Sequence, residues 1–320
     1  MSRAAPVRAG SRRLALETVL FSVLAIVAVI VIASRMPAPP LAVQAAVLGV
    51  LVATLGLPHG ALDPLIARRA GIWHTPLGLA AFNLGYFAIV LVVVGVWLLA
   101  PAASLVGFLL VSGIHFGADW NAGRSVVLRS LTGVGLLTLP AFAHRDEVAG
   151  IYRTLAGPGG VVVADVQSVL GPVAIAAMLL GAALAVRRRP TESLEILLAA
   201  VLALVAPPLV FFAVYFCALH SARHLRHGFA EERGGGRLTV LITVVYTVVP
   251  VAAVGILIAV FAPQLASGGS LAEGWILRLV FIGLAALTVP HMVVIAIGEG
   301  RGRRFAQSTA GSSGASRVHA

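Results

Sequence analysis

An all-α, polytopic membrane helix bundle is the fold class this sequence predicts, with about eight to ten transmembrane helices and both termini in the cytoplasm. Three observations predict it. Hydrophobic residues make up 59% of the chain, and the mean hydropathy is +1.01. Only 11% of residues are charged, where a soluble globular chain carries about 25%. Apolar runs of bilayer-spanning length alternate with short segments that carry arginine.

The length criterion is physical. A hydrocarbon core of about 30 Å needs about 20 residues at 1.5 Å each. Backbone groups find no water in lipid, so they must bond within the segment, which selects helix. Apolar runs fall near 14–34, 41–57, 77–99, 102–118, 126–143, 161–186, 192–206, 208–228, 238–262 and 274–298. The first follows a basic arm at 1–13. It exceeds the apolar core of a signal peptide and reads as a retained helix. Pro207 and Pro208 divide the long stretch 192–228, because proline removes a donor and restricts the residue before it.

Charge tests that division. With Arg3, Arg8, Arg12 and Arg13 inside, ten spans also place Arg68, Arg69, Arg124, Arg187, Arg188, Arg189, Arg233 and Arg237 inside. Arg301, Arg303 and Arg304 join them, while the outer loops keep only Arg35, Arg145 and Arg153. That distribution obeys the positive-inside rule, and fusing 192–228 into one span would reverse everything after it. A single transmembrane domain at 14–298 follows. The basic tail at 299–320, rich in Ser and Gly from Ala306, is expected to be disordered. The net charge of +11 comes with no lysine. Its arginines sit between apolar runs as topology signals, so nucleic-acid binding is excluded. Cys217 is the sole cysteine, which rules out an internal disulfide and fits a small buried apolar residue.

Ionisable residues inside spans are rare and mark function. Four segments carry them: LPHGALDPL with His59 and Asp63, GIHFGADW with His115 and Asp119, LHSARHLRHG with His220, His224 and His227, and VPHMVV with His291. His59 and Asp63, His115 and Asp119, and His220 and His224 are each four apart, a spacing that puts both residues on one helix face. The ten-span orientation also places His59, His115, His220, His224 and His291 in the inward halves of even-numbered spans. A lone membrane histidine is commonly a satisfied interhelical hydrogen bond. Three spaced pairs at one depth favour a metal site held by His59, His115, His220 and His224. His291 is expected as a cavity or outer-shell residue. Asp63 and Asp119 are expected to accept N–H bonds from ligating imidazoles, with helix-end solvation or direct ligation as alternatives. His227 sits among basic residues near the interface, and Asp165, Glu192 and Glu195 read as interface residues near arginines or span ends.

Imidazole suits Zn, Cu, Fe and Ni. The chain offers no cysteine pair for a thiolate site and no HExxH zinc-protease motif. Four neutral imidazoles would leave Fe(II) its full charge and open positions for O2, which suits oxygen chemistry on a substrate entering from the bilayer.

At these residues the chain resembles the Brp/Blh β-carotene 15,15′-dioxygenases of bacteria and archaea. PHGALD at 58–63, IHFGADW at 114–120, HSARH at 220–224 and PHM at 290–292 resemble that family's histidine motifs, in the same order, across about residues 40–298. The resemblance implies cleavage of the central double bond of β-carotene with O2 into two all-trans-retinal. It also implies nonhaem Fe(II) on His59, His115, His220 and His224, in a multi-pass protein of the cell inner membrane. Phe116, Trp120, Tyr215 and Phe216 are expected along an apolar tunnel. A retinal-accepting protein is a compatible partner. Two other classes compete: a desaturase- or hydroxylase-like iron oxygenase, disfavoured because no HH dipeptide exists, and a histidine-lined metal transporter, disfavoured by the common depth. A rhodopsin is excluded, since its Schiff base needs a lysine.

Overall fold

In the computed structural model, the backbone is described for residues 14–120, 123–232, 236–266 and 269–315. Every regular element among them is helical. In order they are α1 (Leu16–Ala33), α2 (Leu41–Leu51), a π-helical segment (Val52–Gly56), α3 (Leu57–Gly60), α4 (Asp63–Arg69), α5 (Pro76–Leu99), α6 (Pro101–Gly117) and α7 (Val126–Ala143). There follow α8 (Arg145–Val169), α9 (Gly171–Ala185), α10 (Pro190–Val205), α11 (Pro208–Ala213), a second π-helical segment (Val214–Ser221), α12 (Ala222–Glu231), α13 (Gly236–Ala266) and α14 (Gly269–Ala315).

Local chemistry starts many of these helices. Pro76, Pro101, Pro190 and Pro208 each occupy a first-turn position, where the missing N–H costs nothing. Thr75 caps α5 by accepting from the Gly78 amide at 3.1 Å, and Ser125 caps α7 by accepting from the Leu128 amide at 3.3 Å. The break expected at Pro207-Pro208 is present: Ala206 turns extended and α11 begins at Pro208.

Outward faces are apolar. Leu77 is 81% and Leu99 87% exposed, and an eighteen-residue window of α5 holds no buried residue. Such a surface is solvated by lipid, so the protein is a multi-pass membrane protein. Among the described residues, five helices are long and apolar enough to cross alone, and the pair α8–α9, bent by 55°, makes a sixth. Leu41–Gly56 and α6 are shorter apolar helices. The ten apolar runs of the sequence are thus not ten full-length helices. The run 161–186 is broken at Gly171-Pro172, and α8 instead reaches back to Arg145. A bend within α8 at Ala156 and Gly157, where Gly157 adopts φ 63°, lets the helix pass Pro158. The last helix, α14, extends as far as Ala315.

The apolar core joins Phe21 of α1, Trp97 of α5, Leu136 and Leu139 of α7, Ile196 and Leu202 of α10 and Phe211 of α11. Against it, α6 and α7 meet backbone to backbone. A Cβ added to Gly133 would overlap the Gly113 carbonyl, and one added to Gly117 would overlap the Arg129 carbonyl. Small residues permit this approach in lipid, where packing replaces the hydrophobic drive. It sets the position of His115, which lies between Gly113 and Gly117. Gly133→Val should therefore separate the two helices, a change of the over-packing class that costs about 1–3 kcal/mol or more. The expected outcome is a lower unfolding temperature in detergent together with reduced metal content.

Candidate metal centre

Four histidines converge from three regions of the chain. His115 stands near the end of α6, His220 within the second π-helical segment, His224 on α12 and His291 on α14. His115, His220 and His291 are buried, and His224 is partly exposed. The His115 ring centroid lies 4.7 Å from that of His220, 5.1 Å from His224 and 5.2 Å from His291. His220 and His224 are 4.5 Å apart. One nitrogen from each of His115, His220 and His224 falls within a common 4.8 Å. An imidazole set at this spacing fits a divalent first-row metal. The side chain of His59 lies outside the described residues. Its backbone is on α3, and the π-helical turn leading into α3 packs beside the one carrying His220, with Gly56 set against the Phe216 ring. π-Helical turns are rare and recur at functional sites. Here two of them lead into histidine segments.

Two carboxylates orient the cluster. Asp119 Oδ2 accepts from His220 Nδ1 at 2.9 Å and from the Tyr215 hydroxyl at 2.7 Å, while Oδ1 is 3.5 Å from His224 Nε2. Asp63 Oδ1 accepts from His291 Nδ1 at 2.7 Å, and Oδ2 accepts from the Tyr86 hydroxyl at 3.0 Å. A proton held on Nδ1 by a carboxylate puts the ring lone pair on Nε2 and makes it a stronger donor. The pairing differs from the spacing argument. α6 ends at Gly117 and a break separates α3 from α4, so neither His115–Asp119 nor His59–Asp63 lies on one continuous helix. Each carboxylate instead serves a histidine about one hundred or more residues later in the chain.

Beneath the histidines lies a buried polar layer that sequence reasoning missed. Glu195, placed at the interface by its neighbouring arginines, is instead fully buried. It accepts from Thr18 at 2.6 Å, from Arg223 at 2.7 Å and from the Trp120 indole at 3.0 Å. Arg223 also donates to the Asp119 carbonyl at 2.9 Å, so the layer reaches the residue that clamps His220. Glu17 of α1 accepts both Arg226 nitrogens, the shorter bond being 2.7 Å. The available signal was an acid at the start of each apolar run, Glu17 and Glu195. Asp165 and Glu192 do pair at the surface, with Arg145 and Arg189. Glu195→Ala should leave the Arg223 guanidinium without its main charge partner, a loss of about 3 kcal/mol or more. Glu195→Gln, which still accepts from Trp120, should lose less in the same thermal-unfolding assay.

An apolar cavity of about 380 Å³ adjoins the cluster, with His115, His220 and His291 in its wall beside Phe82, Phe116, Phe216 and Leu287. Phe116 and Phe216 thus face it as expected. Trp120 and Tyr215 do not: both are turned into the polar layer, where their N–H and O–H groups find Glu195 and Asp119. His227 bonds to Arg226, away from the cluster.

Comparison with known proteins follows this geometry. A family profile described as beta-carotene 15,15′-dioxygenase matches residues 50–297, a range that contains every clustered histidine but not α1. A beta-carotene 15,15′-dioxygenase from an uncultured marine bacterium, 66A03, is 33% identical over 269 positions, covering 77% of this chain and 90% of the relative. A protein of Halobacterium salinarum named probable beta-carotene 15,15′-dioxygenase Blh is 27% identical over 289 positions, covering 75% and 80% respectively. No solved structure matches the chain. The profile spans the same histidine-bearing helices that build the cluster, and the chain belongs to the β-carotene 15,15′-dioxygenase family.

Proposed function

We propose that this protein cleaves the central 15,15′ double bond of β-carotene with O2, giving two molecules of all-trans-retinal. The observation that carries this reading is the set of imidazole nitrogens of His115, His220 and His224, within 4.8 Å of one another, with His115 and His220 in the wall of an apolar cavity inside a membrane bundle. In this reading His59, His115, His220 and His224 hold Fe(II), and Asp63 and Asp119 orient imidazoles. His291 stands in the cavity wall on its Asp63 clamp. Fe(II) held by these residues would supply the oxygen chemistry.

The chain supplies everything else. β-Carotene has no polar handle, so recognition is by shape and apolar burial. The cavity wall lays the polyene beside the histidines and determines which double bond comes within reach, a positional effect. The Asp119 and Asp63 carboxylates keep Nδ1 protons on His220 and His291 and point each Nε2 inward. In the balance of the reaction the central C=C bond is broken and each of its carbons takes one atom of O2. Both products are aldehydes, and no external reductant is consumed. The substrate enters from the bilayer, which we place as the cell inner membrane, and the product leaves to lipid or to a retinal-accepting protein.

Retinoid analysis by HPLC in a bacterial host that makes β-carotene tests this reading. Loss of orange colour with all-trans-retinal as the main product is the expected result. Unchanged β-carotene, with the iron-loaded protein in the membrane, would refute it.

A further inference from the structure

Beside the large cavity lies a second one of about 70 Å³, between α6, α7, α8 and α11. Phe108, Ser112, Phe116 and Phe212 line both, so these side chains form a thin partition between them. Three helices run through both spaces in the same sense. On α6, Leu105 lines the small cavity and His115 the large one. On α14, Phe281 and His291 do the same. Each separation is ten residues, about 15 Å of helix. Pro208 and His220 repeat the pattern on the segment α11 to Ser221. The same three segments that carry the histidines thus also wall the small cavity.

Its wall is apolar as well. The Tyr152 hydroxyl that borders it is bonded to Gln167 at 3.0 Å. Such a wall offers a hydrocarbon chain no polar mismatch.

A central bond has equal halves on either side. A single cavity beside the histidines can hold one half, and the other needs a second arm. We infer that the smaller cavity is this second arm, and that the aromatic partition of Phe108, Phe116 and Phe212 opens to admit the far half of the polyene. The inference rests on the functional reading above. It makes bond selection a matter of two arm lengths measured from the histidines. At about 70 Å³ the arm is closed in this structure, and the Phe212 ring, stacked at 5.1 Å on Phe216, is the side chain that must swing.

The test compares two substrates in detergent-solubilised, iron-loaded protein: β-carotene, and β-apo-8′-carotenal, which shares the same bond and one ringed half but has a shorter second half. Ile151→Phe and Leu109→Phe each narrow the small cavity from a different helix, away from the histidines. The expected result is a fall of about tenfold or more in the ratio of β-carotene to β-apo-8′-carotenal turnover. General damage to the fold lowers both rates and leaves the ratio alone. A ratio within about twofold of wild type in both variants would overturn the second arm. Wild-type protein that cleaves neither substrate would instead defeat the functional reading, and the inference with it.

Discussion

Replacing His220 with alanine is expected to remove metal retention and β-carotene cleavage together. His220 is fully buried, and among the described histidines its ring is the nearest to both His115 and His224, at 4.7 and 4.5 Å. Its Nδ1 is fixed by Asp119, so its geometry toward the cluster is determined before any metal binds. Loss of a partner outside the metal's first ligands typically costs about 10–100-fold in affinity or activity, and loss of a ligand itself costs more. Cleavage in the variant should fall below about 1% of wild type on that scale. Iron per chain, measured on purified protein, should fall with it. His227→Ala, which removes an imidazole bonded to Arg226 outside the cluster, should keep both. A His220→Ala protein with full iron and full activity would take His220 out of the ligand set.

The second large effect is expected at Asp119. One carboxylate holds His220, lies near His224, and takes the Tyr215 hydroxyl, while its backbone carbonyl anchors Arg223. Asp119→Asn preserves size and one acceptor oxygen but removes the charge that strengthens the imidazole. Iron affinity should fall about 10–100-fold, and excess Fe(II) should restore much of the cleavage rate. Rescue by metal separates orientation from general misfolding, which added iron does not repair. Asp119→Ala should be worse, because the His220 Nδ1–H and the Tyr215 hydroxyl would be buried without an acceptor, at about 1–3 kcal/mol for each group. Asp63→Asn, which acts on His291 alone among the clustered histidines, should give the smaller loss of iron affinity.

The membrane class was legible in composition, and the histidine segments were legible as charges in the wrong solvent. The Pro207-Pro208 break was legible too, because proline chemistry is local. What the sequence did not disclose is who pairs with whom. The spacing of four assumed continuous helices, but α6 stops at Gly117, and a new helix, α4, begins at Asp63 after His59. Asp63 and Asp119 are therefore free to turn toward other helices, and their partners follow from tertiary packing. The π-helical turn at Val214–Ser221 was likewise invisible, since it depends on one extra residue fitted into a packed helix. Glu195 misled for a related reason: Arg187, Arg188 and Arg189 closely precede it in sequence, yet it faces inward to Thr18, Trp120 and Arg223, three regions that meet only in the fold.

The most direct measurement is product stoichiometry with purified protein. β-Carotene in detergent micelles, O2 and protein reconstituted with Fe(II) should yield two all-trans-retinal for each β-carotene and each O2 consumed, and removal of iron by a chelator should stop the reaction. Longer apocarotenals in unequal pairs, or a rate that survives the loss of iron, would contradict a histidine-held iron centre placed at the midpoint of the polyene.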